Sequence, residues 1–301
     1  LNQPSLTEPP IQRLHLPALS EQKLIADVLR LDLLHPVVSG NKWFKLHKHL
    51  ELAPPHAPLL TFGGAWSNHL VATAFAARET DRGSIGIIRG ERPGSLSDTL
   101  QEAQSYGMTL DFVSRQVYSA KAQPNFLREL LHRYPGAYII PEGGGGMPGI
   151  LGSEAILHRT DLPDYTHILC AIGTGTTWIG LVRAARPHTT VVGIPVLKGI
   201  ASIADIDREG LLTPEQLERA RILPGYHFGG YARHPQPPLD FMNNLYSRTG
   251  IQTDIVYTGK LFYALWNIVD SHFFPAHSRL LIIHSGGLQG NRSLAPGRLI
   301  F

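Results

Sequence analysis

Pro58-Leu59-Leu60-Thr61-Phe62-Gly63-Gly64-Ala65-Trp66-Ser67-Asn68-His69 decides the class of fold. A short apolar run stops at two glycines, and an Ala-rich helical pattern follows from Ser67 to Arg78. An apolar run of this length, closed by turn residues, reads as a strand buried on both faces. The same unit recurs downstream. Residues 84–88, 109–113 and 137–140 read as strands, and residues 97–106 and 125–132 as helices. Beyond Gly143-Gly144-Gly145-Gly146, strands at 167–172, 190–196 and 280–284 alternate with helices at 150–158, 176–185, 239–249 and 259–269. Strands alternating with helices imply βαβ units and parallel sheets, so the chain is of the α/β class. Upstream, residues 11–16 and 24–34 read as strands, and residues 42–52 as a helix closed by Pro54-Pro55. The four glycines suit a crossing between domains. Residues 222–238, rich in Gly, Pro and aromatics, read as one long loop, a length that often serves function.

Composition removes several classes. With 301 residues, 43% of them hydrophobic, the chain can build a large core or two domains. The net charge of +3 is spread without a basic run, which excludes a nucleic-acid arm and suits small anions better. Cys170 is the only cysteine, so neither a disulfide framework nor a zinc–thiolate cluster can form. It lies in an apolar strand pattern and reads as an inert buried thiol. No apolar stretch is long enough to span a membrane, and residues 1–20 hold no apolar signal core. The expected compartment is the cytoplasm. His47 and His49 face different sides of a helix and make no zinc pair. No Gly-x-Ser-x-Gly elbow supports a serine hydrolase.

The residues that carry chemistry stand at strand ends and helix starts. In Ser39-Gly40-Asn41-Lys42-Trp43-Phe44-Lys45-Leu46, a lysine follows a glycine turn and a residue suited to an N-cap. The helix dipole opposes a cation there, and a neutral amine is what Schiff-base chemistry needs. A solvated lysine after a turn is the plain alternative. Gly173-Thr174-Gly175-Thr176-Thr177, between a strand and a helix, offers backbone N–H groups and hydroxyls in a cup the size of one phosphate. It matches neither a P-loop nor the dinucleotide fingerprint. Ser67, Asn68 and His69 fit either a helix cap or a carboxylate receptor, since ligands of open α/β sheets bind at strand carboxyl ends. Tyr231, Tyr257 and His284-Ser285-Gly286-Gly287 are weaker cues of the same kind.

Taken in order, these motifs resemble the aminocyclopropane-carboxylate deaminase and D-cysteine desulfhydrase family of pyridoxal-phosphate enzymes, fold type II. The match runs from about residue 30 to 290. The resemblance implies that Lys42 is the Schiff-base lysine, with Lys45 of the same motif among the coenzyme contacts. Ser67 would be the catalytic serine and Asn68 the contact to the ring hydroxyl, with Ser67, Asn68 and His69 binding substrate. Gly173, Thr174, Gly175, Thr176 and Thr177 would hold the phosphate. Tyr231 and Tyr257 would be the two active-site tyrosines, and Thr258 and Ser285 further coenzyme contacts. A smaller α/β domain, 48–145, would be inserted in a larger one made of 1–47 and 146–301, with the coenzyme between them and a homodimer as the usual assembly.

Three positions bear on the branch. Thr258 stands where deaminases carry Glu, Ser285 where they carry Leu, and His69 where they carry Gln. All three side with the desulfhydrases. The family's Arg-Asp-Asp appears here as Arg30-Leu31-Asp32, and its Arg after the His/Gln position is absent. The implied activity is elimination on a small amino acid, most closely D-cysteine, giving sulfide, pyruvate and ammonia. The alternatives are cyclopropane ring opening, or a coenzyme-free ligand or nucleotide binder on the same scaffold.

Overall fold

The computed structural model describes residues 8–158, 162–231 and 233–301. The first seven residues of the expected large domain, and Ala232 beside Tyr231, lie outside them. The chain packs as two compact units. One comprises residues 35–38 and 42–152, the other residues 8–34, 39–41 and 153–301.

The first unit carries a four-stranded sheet in the order Met108–Val113, Ser84–Arg89, Leu59–Gly63, Tyr138–Ile140. Every pairing is parallel, with Leu59 opposite both Ser84 and Tyr138. Parallel strands need crossovers, which the helices Asn68–Glu79, Asp98–Ser105 and Pro124–Arg133 supply. Both faces of the sheet are covered. Leu60, Phe62 and Ile87 pack with Phe126 and Leu130 on one side. Leu70, Val71, Ala74 and Leu100 pack with Ile88 and Leu110 on the other. This double burial is why the strands read as unbroken apolar runs.

The unit reaches past the expected 48–145 at both edges. Helix Asn41–Leu52 and helix Gly146–Glu154 lie so close that a side chain on Gly152 would come within 2.1 Å of the Phe44 carbonyl oxygen. The second of these helices starts at the last of the four glycines rather than at 150.

The second unit holds a six-stranded sheet in the order Ile11–Arg13, Ile25–Arg30, Arg279–His284, His167–Ile172, Thr190–Pro195, Ala220–Ile222. Among the described residues, only the Ile11–Arg13 edge strand is antiparallel. Leu280, Leu281, Ile282 and Ile283 are fully buried in the centre. Leu280 and Ile282 pack with Leu169, Val192, Leu261 and Phe262, among others. Cys170 is buried in the same sheet, as expected of an inert thiol.

One expectation fails here. The strand read as 24–34 ends at Arg30, and Leu31–Leu33 is a 3-10 turn. The long loop follows the edge strand Ala220–Ile222, and the next helix opens at Gln236, three residues earlier than read. Among the described residues, no helix is long and apolar enough to cross a membrane.

Candidate active site

The turn before Lys42 is built from the second unit's backbone. Gly40 has φ +68°, and a Cβ there would lie 1.9 Å from the Ser285 carbonyl oxygen. Only glycine tolerates both demands. Gly40 N–H donates to the Leu31 carbonyl (2.9 Å) and Asn41 N–H to the Ser285 carbonyl (3.2 Å). Ser39 Oγ donates to the Asp32 carbonyl (3.2 Å). Ser285 thus acts on this turn through its main chain.

Beneath the turn, Arg30 makes a bidentate pair with Asp32, at 2.9 and 2.6 Å. His284 Nδ1 lies 3.2 Å from the same carboxylate, and its Nε2 lies 2.7 Å from the Gln252 carbonyl. Leu31 therefore stands between two residues that pair with each other, Arg30 and Asp32.

Asn41 opens the helix and donates its amide to Thr177 Oγ1 (2.8 Å). The residue before Lys42 is thereby tied to the loop 173–177. In that loop Gly175 has φ +87° and caps helix Thr176–Ala184. A Cβ on it would meet Ile206 Cγ2 at 2.1 Å. Thr174 and Thr176 hydroxyls lie 3.2 Å apart, and Thr176 and Thr177 are buried. Tyr257 flanks the cup, with its ring carbon 3.0 Å from where a Cβ on Gly173 would stand.

The next residue, Thr258, is fully buried. Its hydroxyl donates to Asp254 Oδ1 (2.7 Å) and accepts from the Asp254 N–H (2.8 Å). Asp254 also accepts from the N–H groups of Val256, Tyr257 and Thr258. Burial raises its pKa even against these donors. The sequence reading missed Asp254, although an acid four residues ahead of Thr258 at a helix start is a legible cap signal. Tyr231 is 41% exposed on the loop that follows Gly230.

In the first unit, Lys42, Lys45 and His49 share one helix face by their spacing. Lys45 is buried and donates to the Gly143 carbonyl (3.2 Å), and His49 Nε2 lies 3.0 Å from the Gly145 carbonyl. Ser67 stands at the N-cap of helix Asn68–Glu79 but makes no side-chain cap bond. Asn68 Oδ1 is buried and has no hydrogen-bond partner among the described residues. The helix start thus takes no cap bond from Ser67, and Asn68 Oδ1 stays unpartnered among the described residues.

His69 is held through Thr61. Thr61 Oγ1 donates to the Ile140 carbonyl (2.8 Å), so it accepts from His69 Nε2–H (2.8 Å). That fixes the tautomer. Nδ1 is a bare acceptor, buried and unpartnered among the described residues. Burial first, then the charges of Lys42, Lys45 and His49, hold the His69 pKa well below its ordinary value. A bare acceptor is a poor match for a carboxylate oxygen. It suits a donor such as an amine, hydroxyl or thiol.

These imidazoles make the fold acid-sensitive. Burial is the leading cause that lowers the pKa of His49, His69 and His284. In the unfolded chain they take up protons near pH ~6.5, and in the folded chain only below that. Stability is therefore full above pH ~6.5 and drains as pH falls. Melting temperatures at pH 7.5 and 5.5 should show the loss, and His69→Gln should reduce it.

The groups present fit pyridoxal phosphate. There is an amine on a fixed turn, a glycine–threonine cup at a helix N-terminus, and a buried amide oxygen unpaired among the described residues. Fixing φ > 0 at an alanine costs about 1–3 kcal/mol. Gly175→Ala is thus expected to weaken coenzyme binding about ten- to a hundredfold in an absorbance titration.

No family model matches the chain. It is 29% identical to an Arabidopsis thaliana mitochondrial protein named bifunctional D-cysteine desulfhydrase/1-aminocyclopropane-1-carboxylate deaminase, over 93% of this chain and 76% of that one. It is 30% identical to a Thermotoga maritima protein provisionally named 1-aminocyclopropane-1-carboxylate deaminase, over 87% of this chain and 88% of that one. A crystal structure described as an ACC deaminase homologue superposes with a TM-score of 0.79 at 26% identity, covering 94% of this chain and 90% of that one. By the length and level of this likeness, and by the motifs it spans, the chain belongs to the 1-aminocyclopropane-1-carboxylate deaminase/D-cysteine desulfhydrase family of pyridoxal-phosphate-dependent enzymes, with fold type II.

Proposed function

We propose that the chain is a D-cysteine desulfhydrase, or acts on a close analogue, and releases sulfide, pyruvate and ammonia. The observation that carries this reading is Thr258. Where deaminases hold a Glu, this chain has a fully buried hydroxyl whose proton is committed to Asp254. Pyridoxal phosphate, when bound, supplies an electron sink for the charge left at Cα.

The chain's own groups do the rest. Lys42 anchors the coenzyme and removes the Cα proton. Residues 173–177 hold the phosphate with backbone N–H groups and hydroxyls. Ser67 and the first N–H groups of helix Asn68–Glu79 hold the substrate carboxylate, and the positive field of the helix N-terminus favours that anion. Asn68 contacts the ring hydroxyl. His69 Nδ1 accepts a hydrogen from a donor on the substrate, the thiol or the amine. Tyr257 and Tyr231 steer protons or pack the substrate. Thr258 brings no negative charge to the ring nitrogen, which favours prompt loss of the β-substituent. The expected assembly is a homodimer.

Incubation with D-cysteine and, separately, with 1-aminocyclopropane-1-carboxylate tests the assignment. Sulfide with pyruvate from the first is expected. 2-Oxobutyrate from the second without sulfide from the first would overturn it.

A further inference from the structure

Lys260, in the first turn of helix Thr258–Asp270, takes no part in the roles above. It is 2% exposed. Its ammonium donates to three main-chain carbonyls: Gly230 at 2.8 Å, His227 at 3.0 Å and Val196 at 3.3 Å. Three N–H groups thus meet three acceptors, and the buried charge is fully hydrogen-bonded. Val196 directly follows the strand Thr190–Pro195, whereas His227 and Gly230 belong to the loop that leads into Tyr231.

The backbone of that loop is unusual. Phe228, Gly229 and Gly230 are all left-handed, at φ +49°, +95° and +121°. A run of this kind persists only where its surroundings over-determine it. Some of the restraint is local. Gly230 N–H donates to the His227 carbonyl (2.9 Å), and Gly229 N–H to His227 Nδ1 (3.0 Å). The Phe228 ring meets Tyr263 edge-on at 5.3 Å, on the same helix as Lys260. The ammonium draws two loop carbonyls and a strand end to a single point.

We propose that Lys260 is a positioning residue. Its ammonium holds the His227–Gly230 turn against the end of strand Thr190–Pro195 and thereby sets the place of Tyr231. The inference rests on the role given to Tyr231 in the proposed reaction. Packing alone would make Lys260 a stability residue whose loss is independent of Tyr231.

Lys260→Met keeps the length and apolar stem and removes all three donors. In the coenzyme-loaded variant, amides of residues 228–231 should exchange hydrogen at least about tenfold faster, with coenzyme absorbance retained. Turnover should fall about tenfold, and the same substitution in a Tyr231→Phe background should cost nothing further. Unchanged exchange, or an equal loss in both backgrounds, would overturn the proposal. A silent Tyr231→Phe would overturn it too, while sulfide release by the unaltered enzyme would still uphold the proposed reaction. Should the methionine variant not fold, Lys260→Gln, neutral with two donors, carries the same comparison.

Discussion

Lys42→Ala should lower turnover by at least about 10³-fold, the scale of losing a positioned proton-transfer group. The coenzyme's visible absorbance should be altered in the same variant. Stability should barely change, because Lys42 is only half-buried on the helix that Trp43 and Leu46 anchor from its buried face. Lys45→Met would behave differently. Lys45 is buried and holds the Gly143 carbonyl, so its loss should lower stability before it lowers chemistry. Turnover with D-cysteine and thermal melting of both variants separate the two lysines of the motif.

Asp32→Ala is expected to be the most damaging change away from the coenzyme. Side-chain exposure is 9% for Arg30 and 1% for Asp32. Removing one partner of a buried pair leaves the other charge uncompensated, at a cost of about 3–5 kcal/mol. The turn that presents Lys42 hangs from this site through the Leu31 and Asp32 carbonyls. Coenzyme affinity should therefore fall together with the urea midpoint. Replacing Arg30 and Asp32 together by leucines should cost less than Asp32→Ala alone, because no buried charge remains.

The parallel sheets were legible because strands buried on both faces must be apolar throughout, as in residues 59–62 and 280–283. The helix starts at Asn41, Asn68 and Thr176 were legible because turn residues precede each one. Residues 31–33 misled for a physical reason. Leu31-Asp32-Leu33 alternates as a strand would, but the Leu31 carbonyl accepts from the Leu34 and Gly40 N–H groups, which closes a turn in place of a strand pairing. The helix at Gly146 was hidden because glycine has low helix propensity, and packing against Phe44 overrides it. The role of His69 depended on where the Thr61 proton goes. Main-chain acceptors such as Ile140, Gly143 and Gly230 leave no mark in a sequence, so the proton balance of His69 and the grip of Lys260 emerge only from the folded backbone.

The central claim is that Lys42 carries the coenzyme. Borohydride reduction of the loaded enzyme, followed by peptide mapping by mass spectrometry, tests it most directly. A pyridoxyl phosphate adduct on Lys42 is the predicted result. An adduct on Lys45 or another lysine, or no adduct after incubation with excess coenzyme, would contradict it.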